Sequence, residues 1–347
     1  MIDWQRFKGQ IDLGVFKNIF TNSLAVGDEK VMIVGDYGYQ NRVLSPILTN
    51  AYALAARELG LNYSVLLQNA KARGEFADEV MIMSLKRLSP RSVIVMNVSN
   101  RIGKLSSLGK SFRRFCNDKK HKFITSSSLG SLSNDSLKTV LKTLDVDYKL
   151  MQTRGERIKK ALDSAREVNI KTKIGTDITM NISGVKSIAN DGNYSATGAG
   201  GNMPAGEVYL HPVGNKVEGT FYIDGSMRLK DKTLLVRNPV RVDVEKGAIT
   251  NISSHYEGKL LKETLEWAHR RAKNPESIRR IAELGIGINP GAKIIGATII
   301  DEKTIGTVHI ANGSNAWFGG ELRSIIHLDH VLRNAIVKVD GRLLRIN

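Results

Sequence analysis

Short apolar runs alternate with helix-like segments through the first 147 residues, and this alternation constrains the fold more than any other feature of the sequence. Four runs are rich in β-branched residues and too short for buried helices: 31–35, 63–68, 92–98 and 122–127. Helix-like segments flank and separate them, at 3–22, 41–59, 76–87 and 135–144. Because parallel strands need long crossover connections, the alternation predicts a mostly parallel sheet with helices on both faces.

The pattern changes near residue 148, where we expect a domain boundary. A charged helical segment at 151–168 leads into alternating strands with many Gly and Thr residues, and a second helical segment is predicted at about 257–284. The sequence therefore predicts an α/β domain with a mostly parallel sheet over 1–147, followed by an α+β domain over 148–347.

Composition limits the compartment and the partners of such a chain. The single cysteine, Cys116, excludes an intramolecular disulfide and Cys-based zinc sites, and it suits a reducing, cytoplasmic compartment. No apolar run approaches the roughly 18 residues of a membrane helix, and the amino-terminal segment mixes both charge signs, unlike a secretory signal. The net charge of +17 is spread evenly over both halves. We therefore expect a solvated basic surface, no membrane contact and no nucleic-acid groove.

Two glycine-containing stretches look like nucleotide-binding loops but depart from the spacing that such loops need. In 103–111, five residues separate the two glycines, where a P-loop has four. The stretch 35–38 follows a predicted strand but lacks the third glycine and the downstream acid of a dinucleotide site. The basic segment 101–122, which contains the first stretch, is expected to be a plain basic face.

Histidines and acids gather in the second half of the chain. His309 lies within a short strand-like run, and a single residue separates His327 from Asp329. In an extended segment, residues two apart point to the same face, so His327 and Asp329 can present an imidazole and a carboxylate to one centre.

Three glutamates join these residues as candidates. Glu283 lies in an apolar, Gly-containing run, Glu207 lies between a Gly-rich loop and a strand, and Glu302 lies at a predicted strand end in 299–303. Acids beside apolar strand residues are costly unless they are paired. Carboxylates together with histidines are ligands that divalent ions prefer, so a metal site is one interpretation of these residues and strand-end acids that face water are the other.

Four motifs in this order resemble the aminopeptidase T family of dimetal metallopeptidases, and more closely its shorter relatives. They are GNMPAGEVY at 201–209, AELGIGINPGA at 282–292, DEKTIGTVHIA at 301–311 and HLD at 327–329. The resemblance covers about 150–335. Carried over position by position, it implies six metal ligands: Glu207, Glu283, Glu302, His309, His327 and Asp329.

The resemblance implies two divalent ions, zinc, cobalt or manganese, bridged by water and by a carboxylate that we place at Glu283. Glu207 and Glu283 would be the catalytic residues, and a metal-activated water would remove amino-terminal residues from peptides with a free amino terminus. The resemblance also implies a homodimer. One departure is that 313–318 lacks the tyrosine that the peptidases carry shortly after the strand histidine.

Two other interpretations remain open. Related proteins on the same fold include mononuclear non-haem iron dioxygenases that open dihydroxypyridine rings, and His309 or another histidine with His327 and Asp329 could form their 2-His-1-carboxylate set. Against this, the resemblance implies that those enzymes carry an extra histidine just before the segment matching 282–284. The corresponding stretch of this chain, 273–276, has no histidine. The third interpretation is a non-enzymatic protein whose basic face binds an anionic partner.

Overall fold

The computed structural model describes residues 9–109 and 111–347, and the chain divides into two compact units. The first unit comprises Met1–Tyr148 and Gly192–Ala205, and the second comprises Lys149–Asp191 and Gly206–Asn347. Part of the helix predicted at 3–22 falls on residues 3–8, which lie outside the described residues.

The helices are α1 (Leu13–Asn18, continued by a π-helical turn at Ile19–Ser23), α2 (Leu44–Glu58), α3 (Glu79–Arg87), α4 (Phe112–Asp118), α5 (Leu137–Leu144), α6 (Tyr148–Asp163), α7 (Tyr256–His269) and α8 (Thr298–Asp301). The strands of the first half are β1 (Val31–Asp36), β2 (Tyr63–Gln68), β3 (Val93–Asn97) and β4 (Lys122–Ser126). The later strands are β5 (Glu167–Lys171), β6 (Asp177–Asn181), β7 (Ile188–Asn190), β8 (Gly200–Asn202), β9 (Glu207–Leu210), β10 (Val217–Ile223), β11 (Ser226–Arg228), β12 (Thr233–Leu235), β13 (Val240–Glu245), β14 (Ala248–Ile252), β15 (Ile281–Gly287), β16 (Val308–Gly313), β17 (His327–Leu332), β18 (Ile336–Val339) and β19 (Arg342–Leu344).

The first unit is built on a five-stranded sheet with the order β2-β1-β3-β4-β8, in which every neighbouring pair is parallel. Every residue of β1 and β3 is buried, as expected of central parallel strands that are covered on both faces. The β-branched runs of the sequence form β1 to β4, so the predicted parallel α/β architecture is confirmed.

Helices cover this sheet with two separate apolar cores. Tyr52 of α2 packs edge-on against the rings of Phe16 and Phe20, with ring centroids 4.8 and 5.7 Å apart. A second core joins α3 and α4 to the sheet through residues that include Leu85 and Phe115. Burial of these aromatic and aliphatic side chains is the main favourable contribution to the stability of the unit.

The second unit contains two antiparallel sheets of seven strands each. One has the order β14-β13-β10-β6-β5-β18-β19, and the other has the order β12-β11-β17-β16-β15-β9-β7. Antiparallel neighbours need only short turns, which agrees with the many Gly residues of this half. The α+β character predicted after residue 148 is therefore confirmed.

Three predicted elements of the second half differ from the structure. The helix predicted at 257–284 ends at His269, and 281–287 forms β15 instead. The helix predicted at 151–168 is α6, and Val168 already belongs to β5. The strand end predicted at 299–303 is the short helix α8 and the residues after it. The error at β15 has a physical reason. All seven of its residues are buried, so the alternation of apolar and polar residues that distinguishes a strand from a helix is absent there.

The loop that looks like a P-loop lacks the structure of one. Strand β3 ends at Asn97 and α4 begins at Phe112, so the stretch 103–111 does not connect a strand directly to a helix. Lys110 lies outside the described residues.

Among the helices that the structure describes, none is long and apolar enough to cross a membrane.

Replacing Val95 by alanine should lower the free energy of unfolding by about 2 kcal/mol, because two buried methyl groups leave the core. Val95 and Val65 are the cross-strand neighbours of Ile33 on its two sides, but Val95 is fully buried whereas Val65 is 42% exposed. The same substitution at Val65 is the matched control and should cost about 0.5 kcal/mol. Denaturant unfolding measures both losses, and equal losses would contradict the burial of β3.

Candidate metal centre

Four adjacent strands of the second unit carry most of the candidate ligands. Glu207 begins β9, Glu283 lies in β15, and His309 lies in β16. His327 and Asp329 lie in β17 and point to the same face, as their spacing predicts. Across the sheet, Glu283 pairs with Ala311 and Ala311 pairs with Asp329, so the two acids align on one line across three strands.

A glycine opposite His309 makes room for its ring. Gly285 pairs with His309, and a Cβ atom added at Gly285 would lie 1.9 Å from the imidazole Nε2. Any side chain at position 285 would displace the fully buried imidazole. The glycine within the AELGIG motif therefore has a steric purpose at this site.

Glu283 lies between the two histidines and contacts both. Its Oε1 lies 3.2 Å from the Nε2 atom of His309, and its Oε2 lies 3.4 Å from the Nε2 atom of His327. The Nε2 atom of His309 also lies 3.6 Å from Oε2 of Glu207. Glu283 is thus the carboxylate common to both histidines, the central place in which the sequence analysis put it.

A hydrogen bond at Nδ1 holds the ring of His327 in one orientation. Its Nδ1 atom lies 2.8 Å from the backbone carbonyl oxygen of Ser314, which can only accept a hydrogen bond. The Nδ1–H group therefore donates to Ser314, and Nε2 faces Oδ1 of Asp329 at 3.0 Å. A backbone acceptor behind an imidazole is the usual support of a metal-binding histidine.

Among the described residues, two groups of side chains bring ligand atoms within 4.8 Å of one another. One group is Glu283, His327 and Asp329, and the other is Glu207, Glu283 and His309. Both groups contain Glu283. Five of the six candidate ligands therefore converge, whereas Glu302 belongs to neither group.

Glu302 instead contacts Lys303, a residue that the sequence analysis missed. The Lys303 side chain is fully buried, and its Nζ atom donates to Oε1 of Glu302 and to Oε1 of Glu207. Asn190 also donates to Glu207 Oε1, at 3.1 Å. The available signal was the lysine directly after two acids in the DEK motif, because a buried lysine needs carboxylate partners.

The pKa values of the cluster record its excess of carboxylates. Burial opposes the charged form of His309, but the hydrogen bond to Glu283 and the neighbouring carboxylates raise its pKa to about 9. Burial likewise opposes the charged form of His327, yet the charge of Asp329 raises its pKa to about 10. Burial raises the pKa of Glu302 to about 8 although Lys303 lowers it. These shifts show that the cluster favours bound positive charge, which a metal ion would supply.

Comparison with known proteins gives the family of this chain. A family model described as NicX, 2,5-dihydroxypyridine 5,6-dioxygenase, matches residues 137–345, a segment that contains the whole cluster. A curated relative, the 2,5-dihydroxypyridine 5,6-dioxygenase of Pseudomonas putida, is 24% identical over 191 residues. That match covers 52% of this chain and 53% of the relative, so it spans about half the length of the relative.

Two solved structures share the fold. The structure of 2,5-dihydroxypyridine dioxygenase from Pseudomonas putida has a TM-score of 0.75 at 16% sequence identity, covering 100% of this chain and 97% of that chain. Wild-type AmpT from Thermus thermophilus has a TM-score of 0.65 at 13% identity, covering 97% of both chains. These likenesses support the mixed α/β fold predicted from the sequence.

The aminopeptidase T interpretation is therefore wrong, and with it the expected hydrolase and protease activity. The four motifs lie mainly on β9, β15, β16 and β17, so they describe the fold and its polar cluster rather than a reaction. The family model matches although 273–276 has no histidine. This chain belongs to the family of 2,5-dihydroxypyridine 5,6-dioxygenases.

Proposed function

We propose that this chain is a mononuclear iron(II) dioxygenase that opens a dihydroxylated aromatic ring of the 2,5-dihydroxypyridine kind. One observation carries the proposal: the segment matched by the family model contains a buried cluster of imidazoles and carboxylates. Non-haem iron(II) oxygenases usually bind iron through two histidines and a carboxylate. Here the group of Glu283, His327 and Asp329 offers one histidine and two carboxylates, and His309 faces the same Glu283. The expectation of two zinc, cobalt or manganese ions is replaced by a single iron ion.

The donor atoms of the cluster fit one divalent ion. His327 offers Nε2, because its Nδ1–H group is engaged by Ser314, and Asp329 and Glu283 offer oxygens beside it. His309 faces the same Glu283 carboxylate from the neighbouring strand. Glu283, His327 and Asp329, whose ligand atoms lie within 4.8 Å of one another, would hold the ion, and His309 would stay beside Glu283 to accept or donate a proton.

Iron(II) in such a site supplies the electrons that allow dioxygen to react with an electron-rich ring. The proposed overall reaction adds both oxygen atoms to the substrate and opens its ring, so that no further reductant is consumed. The chain's own residues hold the groups of the site in place. Glu302 accepts a hydrogen bond from the buried Lys303 ammonium group, and the Ser314 carbonyl keeps the imidazole of His327 in place.

Aromatic side chains beside His327 form a wall suited to a flat substrate. The Trp317 ring lies 4.6 Å from the His327 ring, and Phe318 lies 5.0 Å from Trp317. Tyr209 of β9 packs edge-on against Phe318, 5.3 Å away. The Trp317 side chain is 53% exposed, so part of its face is free to contact a ligand. An aromatic face beside a metal ligand favours a planar ring over a peptide chain.

Oxygen uptake tests the reaction directly. The protein loaded with iron(II) without oxygen and then mixed with aerated 2,5-dihydroxypyridine should consume one molecule of oxygen for each ring opened, which an oxygen electrode and the loss of ring absorbance measure together. His327→Ala should abolish both signals, whereas His269→Ala, an exposed histidine of α7, should retain them. Iron-loaded protein that consumes no oxygen with dihydroxylated pyridine or benzene rings would reject the proposed reaction.

Glu283→Gln should weaken metal binding by at least about 100-fold, because the cluster loses the carboxylate that contacts both histidines. Glu276→Gln is the matched control, since this glutamate is exposed in the turn at Pro275–Arg279. Elemental analysis after dialysis against a fixed concentration of iron(II) gives the metal content of both variants. Equal contents would show that Glu283 is not a ligand.

Trp317→Leu should raise KM for the dihydroxylated ring up to about tenfold while leaving metal content unchanged, because one aromatic contact contributes about 0.5–1.5 kcal/mol. Trp317→Phe should restore most of the affinity. Trp267→Leu is the control, because Trp267 packs under Lys230 and Arg271 and contacts none of the candidate ligands in the described part of the chain. An unchanged KM in Trp317→Leu would remove this wall from the substrate site.

A further inference from the structure

Lys303 is a buried cation for which the proposed reaction has no assigned use. Its side chain has no exposed surface, and its ammonium group bridges the carboxylates of Glu207 and Glu302. The two carboxylates belong to different segments, Glu207 beginning β9 and Glu302 following α8. A charged amine enters a protein interior only when such partners compensate its lost hydration.

The position of this ammonium group coincides with one of the two groups of potential ligands. The group of Glu207, Glu283 and His309 includes the carboxylate that Lys303 already contacts. Oxygen Oε1 of Glu207 accepts hydrogen bonds from both Lys303 and Asn190, so it has little capacity left for a metal ion. A divalent ion on the other oxygen of Glu207 would lie within a few ångströms of the ammonium charge and would be repelled by it.

The group of Glu283, His327 and Asp329 has no such occupant. The Nε2 atom of His327 lies 3.0 Å from Oδ1 of Asp329 and 3.4 Å from Oε2 of Glu283. Among the acids and histidines of the cluster, the described contacts of Lys303 are with Glu207 and Glu302 alone.

We propose that the Lys303 ammonium group takes the place of a second divalent cation, and that this lysine restricts the centre to one ion held around Glu283, His327 and Asp329. Glu207 and Glu302 are then partners of Lys303 rather than metal ligands. The inference rests on the metal dependence of the proposed function but not on the ring-opening reaction.

Manganese(II) is the probe that tests this inference, because it is counted by elemental analysis and its electron paramagnetic resonance distinguishes an isolated ion from a coupled pair. Full-length metal-free protein should bind one manganese ion per chain with the spectrum of an isolated ion. Lys303→Ala should bind two ions and show the spectrum of a coupled pair, since Glu207 and Glu302 lose their internal cation. Lys303→Arg keeps the charge and should still bind one.

Glu302→Gln provides a test that keeps the buried lysine and its contact with Glu207. It should bind one manganese ion with the affinity of the parent protein, whereas loss of that ion would make Glu302 a ligand and overturn the inference. In the Lys303→Ala background, Glu302→Gln should reduce the count from two ions to one.

Two manganese ions in the parent protein, or a single ion in folded Lys303→Ala, would also overturn the role of Lys303 while leaving a metal-dependent protein. No ion in any of these proteins would reject the proposed function together with the inference. One ion in the parent and two in Lys303→Ala, without oxygen uptake, would support the role of Lys303 and reject the ring-opening reaction alone.

Discussion

Carboxylates that are forced together inside a sheet must be neutralised, and the second unit is organised around this requirement. Glu207, Glu283 and Asp329 are buried on neighbouring strands, and Glu302 lies beside them after α8. The protein itself supplies one permanent cation, Lys303, and two imidazoles whose pKa values are raised by the same carboxylates. The remaining negative charge would attract a divalent ion.

The motifs that carry the resemblance indicate the fold rather than the reaction, which explains why the resemblance led to the wrong reaction. The fold is shared with AmpT at 13% identity, and the motifs that carry the resemblance lie on the strands of this fold. A motif is therefore stronger evidence for a fold and a polar cluster than for a substrate.

The sequence predicts the first unit well and the second unit only in part, for physical reasons. Strands β1 to β4 are found within one residue of their predicted ends, because short β-branched runs between polar turns are clear signals. The first part of strand β15, at 281–284, was predicted as helix, because a strand buried on both faces has no alternation to recognise. The convergence of His327 and Asp329 follows from their spacing, whereas the contact of Lys303 with Glu207 joins residues 96 positions apart and has no local signal.

The geometry of the cluster also depends on the register in which neighbouring strands pair, and Gly285 allows the observed register because it leaves room for the His309 ring. In β17, His327 and Asp329 face the cluster, while the next residue, His330, faces away and contacts Asn312 at 2.9 Å. Burial lowers the pKa of His330 to about 4, so this imidazole stays neutral at the pH where His327 is charged. A slip of one residue would exchange these two environments and bury a charge without a partner. Gly285 leaves room for the His309 ring in the observed register of β15 and β16, and this register brings Glu283 between the two histidines.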